Sequence, residues 1–125
     1  MSITLIIANI LSLLAFIAHT FVGDKELRLL EPQQNREDDI LREKWTMSRG
    51  GWHMVSVDLL LATIGLALLN FTDLLQPREV YLQLLAIYFL AYGVAWFLVI
   101  LISTSFKKNY LRLGQWMLLL VIAGL

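Results

Sequence analysis

Two histidines, His19 and His53, and the ionisable residues near them, Asp24, Glu26, Arg49 and Asp58, carry the chemistry available to this chain beyond burying apolar surface. Imidazole changes protonation near neutral pH and is the commonest nitrogen ligand for metals. A metal reading takes His19 and His53 as nitrogen ligands and Glu26, Asp24 or Asp58 as an oxygen ligand, a set that suits zinc or non-haem iron with positions open for water. A haem held by His19 and His53 from facing helices of a bundle is the other cofactor reading. The spacing is not a metal signature, because the chain has no H-x-x-x-H, no E-x-x-H and no third histidine. The plain reading makes both histidines polar caps at a membrane interface, hydrogen-bonded to a serine or to each other, with Arg49 and Trp52 as headgroup-level anchors. With no cysteine, thiol chemistry is excluded. A glycine-rich phosphate loop, a G-x-S-x-G elbow and a dinucleotide fingerprint are all missing from the sequence.

The elements that must position these residues are apolar. Of 125 residues 58% are hydrophobic and 16% charged, and mean hydropathy is +0.69, a balance that a soluble domain of this size cannot hide inside. Ten basic against ten acidic residues leave no net field to attract a nucleic acid. Four apolar segments, at about residues 3–22, 52–71, 80–103 and 111–125, predict an all-α, integral membrane, antiparallel four-helix bundle, the fourth span being short. The first segment lacks a basic lead and an A-x-A pattern, so it is expected to be retained and all 125 residues to be mature chain. Lys25, Arg28, Arg36, Arg42, Lys44 and Arg49 lie in the 23–51 connection, and Lys107, Lys108 and Arg112 between the last two spans. Basic loops favour the inner side, which predicts an N-out, C-out topology. Within the first loop, DDILREKWTMSRGGW reads as a helical extension of the second span that starts near Asp38, after a break around Pro32, with Gly50-Gly51 as a candidate kink.

At about 100° per residue, Asn9, Ser12, His19, Gly23 and Glu26 share one face of the first helix, and Arg49, His53, Ser56, Thr63 and Asn70 one face of the second. Tyr81, Tyr88, Tyr92, Trp96 and Ser103 form a third seam, which suits packing, or a lipid-tail or quinone pocket. Asp58 points about 140° away from His53, toward a different neighbour. It is an acid inside an apolar run and needs a partner or a proton. Antiparallel pairing brings His19 and His53 to one level, with Gly23, Asp24, Glu26, Arg49, Trp52 and Ser56 around them, a polar pocket at the cytoplasmic mouth.

The strings AHTFVGDKE and SRGGWHMVSVDLLLATIGLALL resemble a group of small four-span bacterial membrane proteins of unknown function. In that group an H-x-x-x-G motif ends the first helix and R-x-x-W-H-x-x-S/T opens the second. His19, Gly23, Arg49, Trp52, His53 and Ser56 are the matching positions; Asp58 lies outside the pattern, and the first loop here is longer than the group's. The resemblance implies a multi-pass protein of the bacterial inner membrane and carries no activity. The leading expectation is a non-enzymatic protein whose His19/His53 pocket serves helix packing, ligand or partner binding among membrane lipids, in a homo-oligomer or a larger membrane complex. The alternatives are a metal- or haem-dependent membrane enzyme acting on a lipid or quinone, and an accessory or immunity protein that binds through the first loop.

Overall fold

A computed structural model of the chain describes residues 2–32, 39–102 and 114–125. Four helices account for them: α1 (Ile3–Arg28), α2 (Asp39–Phe71), α3 (Arg78–Leu101) and α4 (Gln115–Gly124), and no strand occurs among the described residues. The first three are long and apolar enough to cross a membrane. As expected of the 23–51 connection, α2 starts at Asp39, ahead of its apolar run, and places an acid in the first turn, where the helix dipole favours it. The helix continues through Gly50 and Gly51, the candidate kink, without interruption. The irregularity lies in α1, where Ala18–Gly23 form a π-helical turn between two α segments. Of the fourth segment, expected to be short, the described residues show a ten-residue apolar helix, α4, fewer than the roughly 20 a span needs. Ser103, residues 111–113 and the basic Lys107, Lys108 and Arg112 lie outside the described residues, as does Arg36.

The chain divides into two compact units, Met1–Leu11 with Gly65–Leu125, and Ser12–Ile64. In the first unit, Leu5, Ala8, Leu66, Leu69, Phe89, Ile100 and Ile122 are buried. The Ser2 backbone N–H donates to Asn70 Oδ1 at 2.8 Å, which gives the last polar residue of the α2 stripe a partner. Pro77 precedes α3 in extended conformation, where its missing N–H costs nothing. An apolar cavity of about 250 Å³ is bounded by Leu5, Leu66, Leu85, Phe89, Ile122 and their neighbours. It is not the tyrosine-lined pocket that the α3 seam suggested. Tyr88 and Tyr92 instead pack on each other, with ring centroids 4.6 Å apart, and Tyr88 meets Phe89 edge-on at 5.6 Å.

Gly93 sets the α3–α4 contact. A Cβ there would stand 2.9 Å from Leu120 Cδ2, 3.1 Å from its Cγ and 3.4 Å from the Trp116 carbonyl. One turn on, Phe97 and Trp116 pack with centroids 5.0 Å apart. Small residues at helix contacts let backbones approach where lipid supplies no hydrophobic drive. Gly93→Val is therefore expected to lower the thermal midpoint in detergent, with a cost of about 1–3 kcal/mol for overpacking. Leu120→Ala in the same chain should recover part of the loss, as read by tryptophan fluorescence.

Candidate functional site

In the Ser12–Ile64 unit the partners of α1 and α2 run in opposite order along the two helices. Ser12 Oγ lies 2.9 Å from Thr63 Oγ1. His19 meets Trp52, Asp24 meets Arg49 and His53, and Trp45 Nε1 donates to the Leu27 carbonyl at 3.0 Å. Ser12, Ser56 and Thr63 are buried, and Thr63 also donates to the Leu59 carbonyl at 2.8 Å. The polar stripe expected on α2 is thus the seam that meets α1.

Two arrangements make up the site. In the first, His19 and Trp52 exchange hydrogen bonds: His19 Nε2 donates to the Trp52 carbonyl at 3.0 Å, and Trp52 Nε1 donates to the His19 carbonyl at 2.9 Å. The rings stack with centroids 4.0 Å apart and planes 9° from parallel. Because a carbonyl only accepts, His19 carries its proton on Nε2 here. Gly23 makes room for the stack, since a Cβ at that position would fall on the Trp52 ring at Cζ2.

In the second, one carboxylate gathers three basic side chains. Asp24, with its side chain only 7% exposed, accepts from Arg28 Nε at 2.7 Å and pairs with Arg28 Nη2 at 2.6 Å. Arg49 binds it in a fork, Nε to Oδ1 at 2.9 Å and Nη2 to Oδ2 at 3.3 Å. His53 Nε2 donates to Oδ1 at 3.1 Å. Bidentate guanidinium–carboxylate contacts are among the stronger and more directional hydrogen bonds available to side chains. Arg49 also lies over the Trp45 ring, Cζ 5.4 Å from its centroid, a cation–π distance.

The positions expected in the pocket divide accordingly. His19, Gly23, Trp52, Asp24, Arg49 and His53 come together in these two arrangements, and Ser56 is buried one turn along α2 with its hydroxyl directed at the Trp52 carbonyl, 3.4 Å away. Glu26, the expected oxygen ligand, is exposed. Among the described residues no three histidine, aspartate or glutamate side chains gather as metal ligands, so His19, His53 and Glu26 do not form the expected set. Nε2 of each histidine is hydrogen-bonded to a protein acceptor. Asp58 is half-buried and has an interaction of its own. Asp24 is the residue that sequence reasoning undervalued. The available signal was its distance from His19, five residues, which is the hydrogen-bond step of a π turn rather than of an α turn.

Comparisons with protein-family models, with curated proteins and with solved structures each find no match to this chain.

The Gly23–Trp52 approach generates a direct expectation. Gly23→Ala should displace the indole, break the reciprocal His19–Trp52 bonds and lower the thermal midpoint, at about 1–3 kcal/mol for an overpacked contact. Near-ultraviolet circular dichroism of the tryptophans reports the displaced ring. Gly50→Ala, where an added Cβ meets nothing within 4 Å, should leave that signal unchanged.

Proposed function

We propose that the chain is a small, non-enzymatic, multi-pass membrane protein whose Asp24 cluster and His19–Trp52 stack form a polar clasp. The clasp holds the first two helices together at the cytoplasmic interface and presents the exposed edges of Arg28 and His53 to a ligand or partner. The reading extends to an antiparallel bundle in a bacterial inner membrane, with both termini outside and the basic flanks of Lys25, Arg28, Arg42, Lys44 and Arg49 inside. The reading also includes assembly as a homo-oligomer or as a subunit of a larger membrane complex.

One observation carries the choice of a packing role over catalysis: both oxygens of Asp24 are committed, to two guanidinium groups and an imidazole. A general base needs a lone pair within reach of the proton it removes, and a metal ligand needs one for the ion. Here the carboxylate spends its acceptor capacity on its own helices, and His19 spends Nε2 on a backbone carbonyl. Such a network rigidifies and specifies one helix register.

Elemental analysis and an optical spectrum on untagged protein, purified in mild detergent without chelator, test this reading beside His19→Ala and His53→Ala. The expected result is a colourless protein without stoichiometric metal, each substitution lowering the thermal midpoint or dissociating an oligomer. A stoichiometric metal, or a haem Soret band, that disappears in the variants while the fold stays intact would replace the proposal with the enzyme reading.

A further inference from the structure

An α-helix turns about 100° per residue, so along a uniform α1 Asp24 would lie about 120° round from Ser12, and Glu26 only about 40° from it. Ser12 faces α2, since its hydroxyl meets Thr63. Uniform geometry would therefore turn Glu26, not Asp24, toward Arg49 and His53. The π turn at Ala18–Gly23 takes up one extra residue. Everything after it is set back by about 100°, which brings Asp24 to about 20° from Ser12 and sends Glu26 to the outside.

The observed register has a local cost. Thr20, inside the π turn, has a buried hydroxyl without a hydrogen-bond partner among the described residues. Serine and threonine in helices ordinarily return their hydroxyl to the carbonyl four residues back, as Thr46, Ser48, Thr63 and Thr72 do here. An α turn would offer Thr20 the Phe16 carbonyl in the same way. Gly23 has no Cβ to strike Trp52 while the helix rotates.

We propose that α1 is a two-register helix: beyond Ile17 it can trade its π turn for an α turn, rotating so that Glu26 replaces Asp24 against Arg49 and His53. Each register puts a carboxylate on the same guanidinium, so the exchange swaps one charge-assisted pair for another. The Asp24–Arg28 pair, made within one helix at i,i+4, moves as a body. In the α register Thr20 gains a hydrogen bond; in the π register Asp24 gains its enclosed three-sided site. A helix segment with two packed arrangements is a bistable element of the kind that switching proteins use. The inference rests on the geometry of the clasp and not on the non-enzymatic reading, so either can fail without the other.

The experiment uses the full chain in detergent. Glu26→Gln is compared with wild type, and again in an Asp24→Asn background, by thermal midpoint. Two registers predict that Glu26→Gln is silent in the first comparison and lowers the midpoint by several degrees in the second, where Glu26 has taken over. In a chain lacking Thr20, which restores α geometry with Asp24 still facing α2, Glu26→Gln should be silent in both. A Glu26→Gln change without effect in the Asp24→Asn background would overturn the proposal. A second measurement leaves Asp24 intact and exploits the absence of cysteine: Glu26→Cys with His53→Cys, under mild oxidation. A disulfide that forms in the full chain and is lost on deleting Thr20 is expected. No disulfide in either chain, or equal yield in both, contradicts a second register.

Discussion

The Asp24 carboxylate, enclosed between two helices and bonded by Arg28, Arg49 and His53, is the constraint on which the Ser12–Ile64 unit depends. A carboxylate that is nearly closed to solvent has to be compensated, because desolvating a charge is costly and an unpaired one is worse. The compensation comes from both helices, Arg28 on α1 and Arg49 and His53 on α2, so the pair can separate only by abandoning it. The neighbouring features follow from this contact. The indole of Trp52 fills the space above Gly23, His19 covers the indole, and Trp45 reaches across to the Leu27 carbonyl while its face supports Arg49.

The chemistry changes along the helices. Toward the ends of α1 and α2 that flank their connection, the contacts are ionic and aromatic. Deeper in the same unit the seam narrows to Ser12 and Thr63, a single hydroxyl pair that satisfies two polar groups without introducing charge. In the unit that contains α3 and α4 the contacts are apolar and close, Gly93 against Leu120 and Phe97 against Trp116. Many large apolar side chains are exposed, among them Ile3, Phe21, Val57, Leu61, Ile87 and Leu98. That surface suits acyl chains, where association relies on packing and on a few hydrogen bonds.

Much of this was legible in the sequence, and what was missed in α1 has one physical origin. The α2 stripe of Arg49, His53, Ser56, Thr63 and Asn70 could be read at 3.6 residues per turn because α2 keeps α geometry for all 33 residues. Its extension to Asp39 followed from helix-forming residues and acids at the start. The same arithmetic applied to α1 works as far as Gly23 and then selects Glu26, because it assumes a uniform twist. The π turn displaces the pattern by one residue and puts Asp24 in the place where Glu26 was expected. Such a turn is stabilised by contacts from another helix, here the Trp52 stack and the Arg49 fork, which periodicity within one segment does not contain. The fourth span shows the complementary difficulty. Hydropathy marks residues 111–125 as apolar, yet the described helix covers only Gln115–Gly124.

The central claim is that Asp24 and Arg49 act as one unit in joining α1 to α2. A double-mutant cycle with Asp24→Asn, Arg49→Gln and the combined variant, all made in a Glu26→Gln chain so that no second carboxylate can take the place of Asp24, and read by thermal unfolding in detergent, measures that directly. The account predicts strong non-additivity, the combined variant being little worse than the more damaging single change. Losses that simply add would mean that the two residues do not depend on each other, and would contradict the clasp.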